Sequence, residues 1–130
     1  MWHERSGLSY NEYCRRAVAD AVARGHGDPA NLRQILIWTT NKTTASTAEA
    51  YLAQHQSDPQ LLNCLVATAL EGEDAGDAPW AAANIIAGYP AATLLPHKAS
   101  LEQLARHPWM YLHVPGRRAL AKFAAGESAK

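Results

Sequence analysis

Ser9-Tyr10-Asn11-Glu12-Tyr13-Cys14-Arg15-Arg16-Ala17-Val18-Ala19-Asp20-Ala21-Val22-Ala23-Arg24-Gly25 is the stretch from which the fold is read. Ser9 and Glu12 have the spacing of a capping box, and Gly25 stands where a helix would end. Between them Tyr10, Tyr13, Cys14, Ala17, Val18, Ala21 and Val22 recur at helical spacing and form one apolar stripe. Glu12, Arg16, Asp20 and Arg24 follow one another at i,i+4 on another face, a ladder that reads as solvated.

The same signals recur along the rest of the chain. Asp28-Pro29 and Asp58-Pro59 each place a capping carboxylate before a proline at a first helical position, where a missing N–H costs nothing. Leu32, Ile35 and Leu36 follow the first pair at the offsets at which Leu62, Leu65 and Val66 follow the second. Ser46 with Glu49 predicts another start, ahead of Ala48, Tyr51 and Leu52. Asp77 predicts the cap of a helix beginning near Pro79 and carrying Ala81, Ala82, Ile85 and Ile86 to Gly88. Pro90 and Pro96 bracket a short segment. Ser100 opens a helix with Leu101, Leu104 and Ala105, and Pro115 opens a last one with Ala119, Leu120, Phe123 and Ala124. Residues 1–8 and 127–130 are expected to fray.

Alanine fills 26 of 130 positions, phenylalanine one, and no strand-like alternation occurs, so the fold class is all-α. The length suits one domain spanning 1–130. About seven helices are expected: a capping helix followed by three helix pairs. These proline-started, alanine-rich pairs resemble the HEAT class of helical repeats, which implies a right-handed stack; a non-repeating orthogonal helical bundle is the alternative.

Twelve basic and twelve acidic residues cancel, which argues against a general polyanion binder. The charge is unevenly placed. Residues 43–97 contain no Lys or Arg but hold Glu49, Asp58, Glu71, Glu73, Asp74 and Asp77. Four of these acids crowd into the glycine-containing segment 71–77, with Trp80 one turn beyond. Charge of one sign beside an aromatic anchor is the chemistry of a docking site for a basic protein. Glu71, Glu73, Asp74, Asp77 and Trp80 are therefore the predicted partner-binding residues. Calcium is not expected there, since Ala75 and Ala82 stand where an EF-hand loop needs oxygen ligands.

The C-terminal end is basic, with Lys98, Arg106, Arg117, Arg118 and Lys122 among His97, His107 and His113. It offers the competing reading, a small enzyme or nucleic-acid accessory protein. A helix-turn-helix at 32–54 fails because its recognition helix would lack Lys and Arg. No His or Cys pair has the spacing of a zinc site, and nucleotide and serine-hydrolase motifs are absent. Cys14 and Cys64 lie on apolar stripes and read as buried small residues. Trp38 and Trp109 read as core, with core packing also an alternative for Trp80. No catalytic residue, metal or cofactor is expected, nor any membrane partner. The start Met1-Trp2-His3-Glu4-Arg5 has no signal-peptide character, so the expected location is cytoplasmic. Small HEAT-like helical domains with an acidic surface are similar to immunity proteins that neutralise basic bacterial toxins. That resemblance implies a protein-binding module that covers a toxin's working surface.

Overall fold

Helix α1 (Tyr10–Arg24) begins and ends where its sequence signals fall. The Ser9 hydroxyl oxygen accepts the Glu12 N–H at 3.2 Å and gives its own proton to Glu12 Oε1 at 3.1 Å. The computed structural model describes residues 9–72 and 76–124. The segments 1–8 and 127–130, expected to fray, lie outside the described residues. Among those described, every regular element is helical, so the all-α class holds. The remaining helices are α2 (Pro29–Trp38), α3 (Ala45–Gln54), α4 (Pro59–Ala69), α5 (Asp77–Ala87), the single turn α6 (Ala91–Leu94), α7 (Lys98–Ala105) and α8 (Met110–Ala124). A 3₁₀ turn, Leu95–His97, runs from α6 into α7. None of these helices is long and apolar enough to cross a membrane.

Contacts cluster into two units dividing between Asp58 and Pro59, within what the sequence suggests is one domain. In the first, α1, α2 and α3 pack on one another around Cys14, Val18, Leu32, Ile35, Leu36, Ala48 and Leu52, all buried. The stripe of α1 is narrower than its sequence suggests, for Tyr10 is 56% exposed. Asp28 caps α2 by accepting the Ala30 N–H at 3.1 Å. Helix α3 starts at Ala45 rather than at the Ser46–Glu49 box, with Thr44 as its N-cap residue. Thr44 is fully buried, and its hydroxyl donates to the Trp38 carbonyl at 2.8 Å, tying the end of α2 to the start of α3. A tertiary bond replaces the local capping pattern. Trp38 is half-buried, lining a groove with Tyr13, Asp20, Arg24 and Gln34 instead of filling the core. The exposed Arg24–Asp20 pair at 2.6 Å confirms the solvated ladder on α1.

In the second unit α4 packs on α5, and α8 packs on α5, α6 and α7. Five alanines of α5 (Ala78, Ala81, Ala82, Ala83 and Ala87) are buried, and such small side chains let neighbouring helices approach closely. Helix α5 starts two residues ahead of Pro79. Gly76, at φ +84°, is its N-cap residue, and Asp77 lies inside the first turn. This left-handed conformation disfavours any residue with a Cβ, so the chain turns into the helix at glycine rather than at aspartate. Helix α7 likewise begins at Lys98, continuing the 3₁₀ turn, so Ser100 falls within it.

The last helix departs most from its sequence signal. It begins at Met110 and carries Pro115 inside. Proline has no N–H to offer the preceding turn, which makes it a poor interior residue. Here two histidines secure the turn before it: His107 Nδ1 accepts the Trp109 N–H at 3.0 Å, and His113 Nδ1 donates to the His107 carbonyl at 2.9 Å. Next to Pro115, Gly116 sets the approach of α8 to α7. A Cβ there would sit 2.8 Å from the Ala105 nitrogen and 2.9 Å from Leu104 Cβ, closer than real Cβ atoms come. Gly116→Ala should therefore destabilise the fold by about 1–3 kcal/mol despite the better helix propensity of alanine. Gly88→Ala, where the nearest contact would be an ordinary 3.4 Å, serves as control and should leave the thermal midpoint almost unchanged.

Candidate functional site

The start of α8 brings its aromatic residues to the start of α5. Trp80 is the fourth residue of α5, Tyr111 the second of α8, and Trp109 immediately precedes α8. These three rings and Asp77 line a pocket of about 220 Å³. Tyr111 stands between the tryptophans: its ring centroid is 5.6 Å from that of Trp80 at an interplanar angle of 63°, and 5.4 Å from that of Trp109 at 77°. The rings are thus edge-to-face and steeply inclined, a favoured arrangement that makes walls rather than a stack. Asp77 is exposed, Trp80 and Trp109 are half-buried, and Tyr111 is 48% exposed, so the pocket opens to solvent.

Two of the five predicted partner-binding residues, Asp77 and Trp80, therefore share this site. Glu71 is exposed in the turn after α4, and Glu73 and Asp74 lie outside the described residues. Sequence reasoning missed Tyr111 and placed Trp109 in the core. The available signal was the pair of Pro-Trp dipeptides at 79–80 and 108–109, whose tryptophans line the same pocket.

His107 positions Trp109. Because its Nδ1 accepts a backbone proton, the neutral ring carries its own proton on Nε2. Other members of the basic end are also engaged within the second unit. Arg117 Nε donates to the Ala105 carbonyl at 3.3 Å, and Arg118 donates to Asn84 Oδ1 at 3.2 Å. Asn84 in turn donates to the Trp80 carbonyl at 3.0 Å. Lys122 donates to the Tyr89 carbonyl, and the Lys98 ammonium lies 5.7 Å from the Phe123 ring centroid. Each of these cations thus has a contact within its own unit, although Lys98, Arg117 and Arg118 are exposed.

The first unit holds a cluster that the sequence did not announce. His26 is buried, with Nδ1 2.7 Å from the Tyr51 hydroxyl and Nε2 2.7 Å from Asp58 Oδ2. The His55 ring packs on both, with centroids 5.4 Å from His26 and 4.4 Å from Tyr51. An ionised Asp58 only accepts, so Nε2 carries a proton, and in the neutral ring Nδ1 receives the Tyr51 hydroxyl proton. Hydroxyl, imidazole and carboxylate have the order of a catalytic triad. Burial and the charge of Asp58 push the Tyr51 hydroxyl above its ordinary value of 10.0, with a hydrogen bond to the His26 backbone pulling part of the way back. In the fold the cluster clamps the α1–α2 turn to α3 and to Asp58.

Among the described residues no group of three or more His, Cys, Asp or Glu side chains could hold a metal ion. Cys14 is buried, as its stripe suggests, and Cys64 is half-buried. Compared with protein-family models, curated proteins and solved structures, the chain matches none.

The clamp has a pH signature. Folding favours the protonated Tyr51, so its contribution is present in full below about pH 10 and is lost as pH rises through the higher folded-state value. Urea midpoints of the intact chain should fall over this alkaline range, and Tyr51→Phe should flatten the fall. Removing the carboxylate with Asp58→Ala leaves a buried imidazole N–H without that acceptor, and should cost about 1–3 kcal/mol at neutral pH.

Proposed function

We propose that this chain is a protein-binding module that recognises a basic partner through the face bearing Asp77, Trp80, Trp109 and Tyr111. The observation that carries the reading is a solvent-open pocket combining three aromatic rings with a carboxylate. It belongs to a stretch of sequence, 43–97, that has six acids and no Lys or Arg. Aromatic residues supply the contact area that dominates interface energetics, while a charge of one sign steers an oppositely charged partner and selects against others. In its most concrete form the module is an immunity-type inhibitor, HEAT-like in the pairing of its helices, that covers the working surface of a basic bacterial toxin.

Affinity capture from an extract of the source cells, with bound proteins identified at low and high salt, tests the proposal. A basic protein should be retained at low salt and reduced at high salt, as screening requires. Asp77→Lys should abolish its capture. Trp80→Ala should weaken binding of the purified partner by about thirtyfold, the scale of an interface hot spot. Loss of capture by Arg117→Glu with Arg118→Glu, but not by Asp77→Lys, would move the site to the C-terminal helix and overturn the proposal.

A further inference from the structure

We infer that the pocket of Trp80, Trp109, Tyr111 and Asp77 is an aromatic cage for an alkylated ammonium group, carried on a methylated lysine side chain of the partner. This rests on the reading of the same face as a cation-recognising surface, and specifies the chemical group that enters it.

The ring arrangement comes first. An aromatic face is the negative pole of the ring quadrupole, and a cation within about 6 Å of a ring centroid is attracted to it, most strongly by tryptophan. Tyr111 meets both tryptophans at steep angles, so the three rings that line the pocket do not lie in one plane. Asp77 adds a full negative charge to the lining. The pocket is also preorganised, because Trp80 and Tyr111 stand on helices and the Trp109 backbone is fixed by His107.

Hydrogen-bonding capacity decides which cation fits. A guanidinium brings five N–H donors and an unmodified lysine three, and those that turn toward the rings lose water on entry. Against them the described lining residues supply the Asp77 carboxylate and the Tyr111 hydroxyl, beside two indole rings that accept nothing. A trimethylated ammonium brings positive charge with no donor to satisfy, and its methyl groups match the apolar ring surfaces. Size agrees: about 220 Å³ is less than the roughly 300 Å³ at which pockets begin to hold drug-sized ligands, and suits a single head group. The exposure of Asp77 and Tyr111 leaves room for the stem of a side chain to run outward to a partner. The competing occupant is an anion, since α5 and α8 both start here and helix N-termini favour negative charge. Asp77, in the first turn of α5, opposes it.

The test titrates the full chain with four probes and follows the indole N–H signals of Trp80 and Trp109 by NMR, assigned with single Trp→Phe variants. The probes are N-acetyl-trimethyllysine amide, its unmethylated counterpart, the neutral analogue with a tert-butyl head, and choline. Trimethyllysine should bind at least about tenfold more tightly than the neutral analogue, the difference being the cation–π contribution. It should also bind more tightly than unmethylated lysine and than choline. Tyr111→Phe, which keeps the ring, should retain binding, whereas Tyr111→Ala and Trp80→Ala should lose it with an unchanged circular dichroism spectrum. Equal binding of the neutral analogue would make the site merely apolar. Preference for unmethylated lysine would make it a simple ion pair, and tighter choline binding would assign it to a free small cation. Displacement of both indole signals by inorganic phosphate would make it an anion site. Each of these results overturns the inference, as does the absence of binding by all four probes. If no probe binds while Asp77→Lys still abolishes partner capture, the cage fails and the protein-binding function stands. If trimethyllysine binds but no basic protein is captured, the function fails and the cage stands.

Discussion

Helix α8 can lie against α7 only because residue 116 has no Cβ. The Ala105 nitrogen and Leu104 occupy the space that a side chain would need. That approach places buried Leu112 and Ala119 of α8 in the core of the second unit, together with Leu101 and Leu104 of α7. It also positions the beginning of α8 against its neighbours. Trp109 and Tyr111 sit at that beginning, so the geometry of the pocket depends on a backbone contact at the far end of Pro115. A packing constraint and a recognition site are two parts of one arrangement.

Histidine chemistry supports it. His107 receives a backbone proton from Trp109, and His113 gives one back to the His107 carbonyl. These bonds order the chain ahead of an internal proline that cannot supply its own N–H. In a sequence viewed for charge alone, the same histidines look like members of a cationic surface. Folded, they are backbone ligands. Arg117 and Arg118 follow the same pattern, since each donates to an oxygen of its own unit.

The first unit uses its imidazole differently. His26 bridges a hydroxyl and a carboxylate from residues 25 and 32 positions further along the chain. Burial of such a group without partners would be costly, so the clamp is an obligatory consequence of bringing the α1–α2 turn against α3. Burial and the charge of Asp58 push the Tyr51 hydroxyl up and outweigh the hydrogen bond that would favour the phenolate. Hydroxyl, imidazole and carboxylate together hold the α1–α2 turn to α3.

The sequence by itself determined the helical class, the course of α1 and the cap of α2, because capping and i,i+3/i+4 periodicity act between near neighbours. Ser9, Glu12 and Asp28 make the bonds expected of them, and Asp77 and Trp80 are close enough in the chain to share one helix turn. Local signals failed where a distant group took over their work. Thr44 starts α3 through a bond to Trp38, and α8 starts before Pro115 because His107 and His113 secure its first turn. The pairing of His26 with Tyr51 and Asp58, and of Tyr111 with Trp80 and Trp109, came from tertiary structure alone. The reason is physical: a side chain's chemistry is written at its own position, but its partners are set by which helix faces can approach, and that depends on absent atoms such as the Cβ of Gly116.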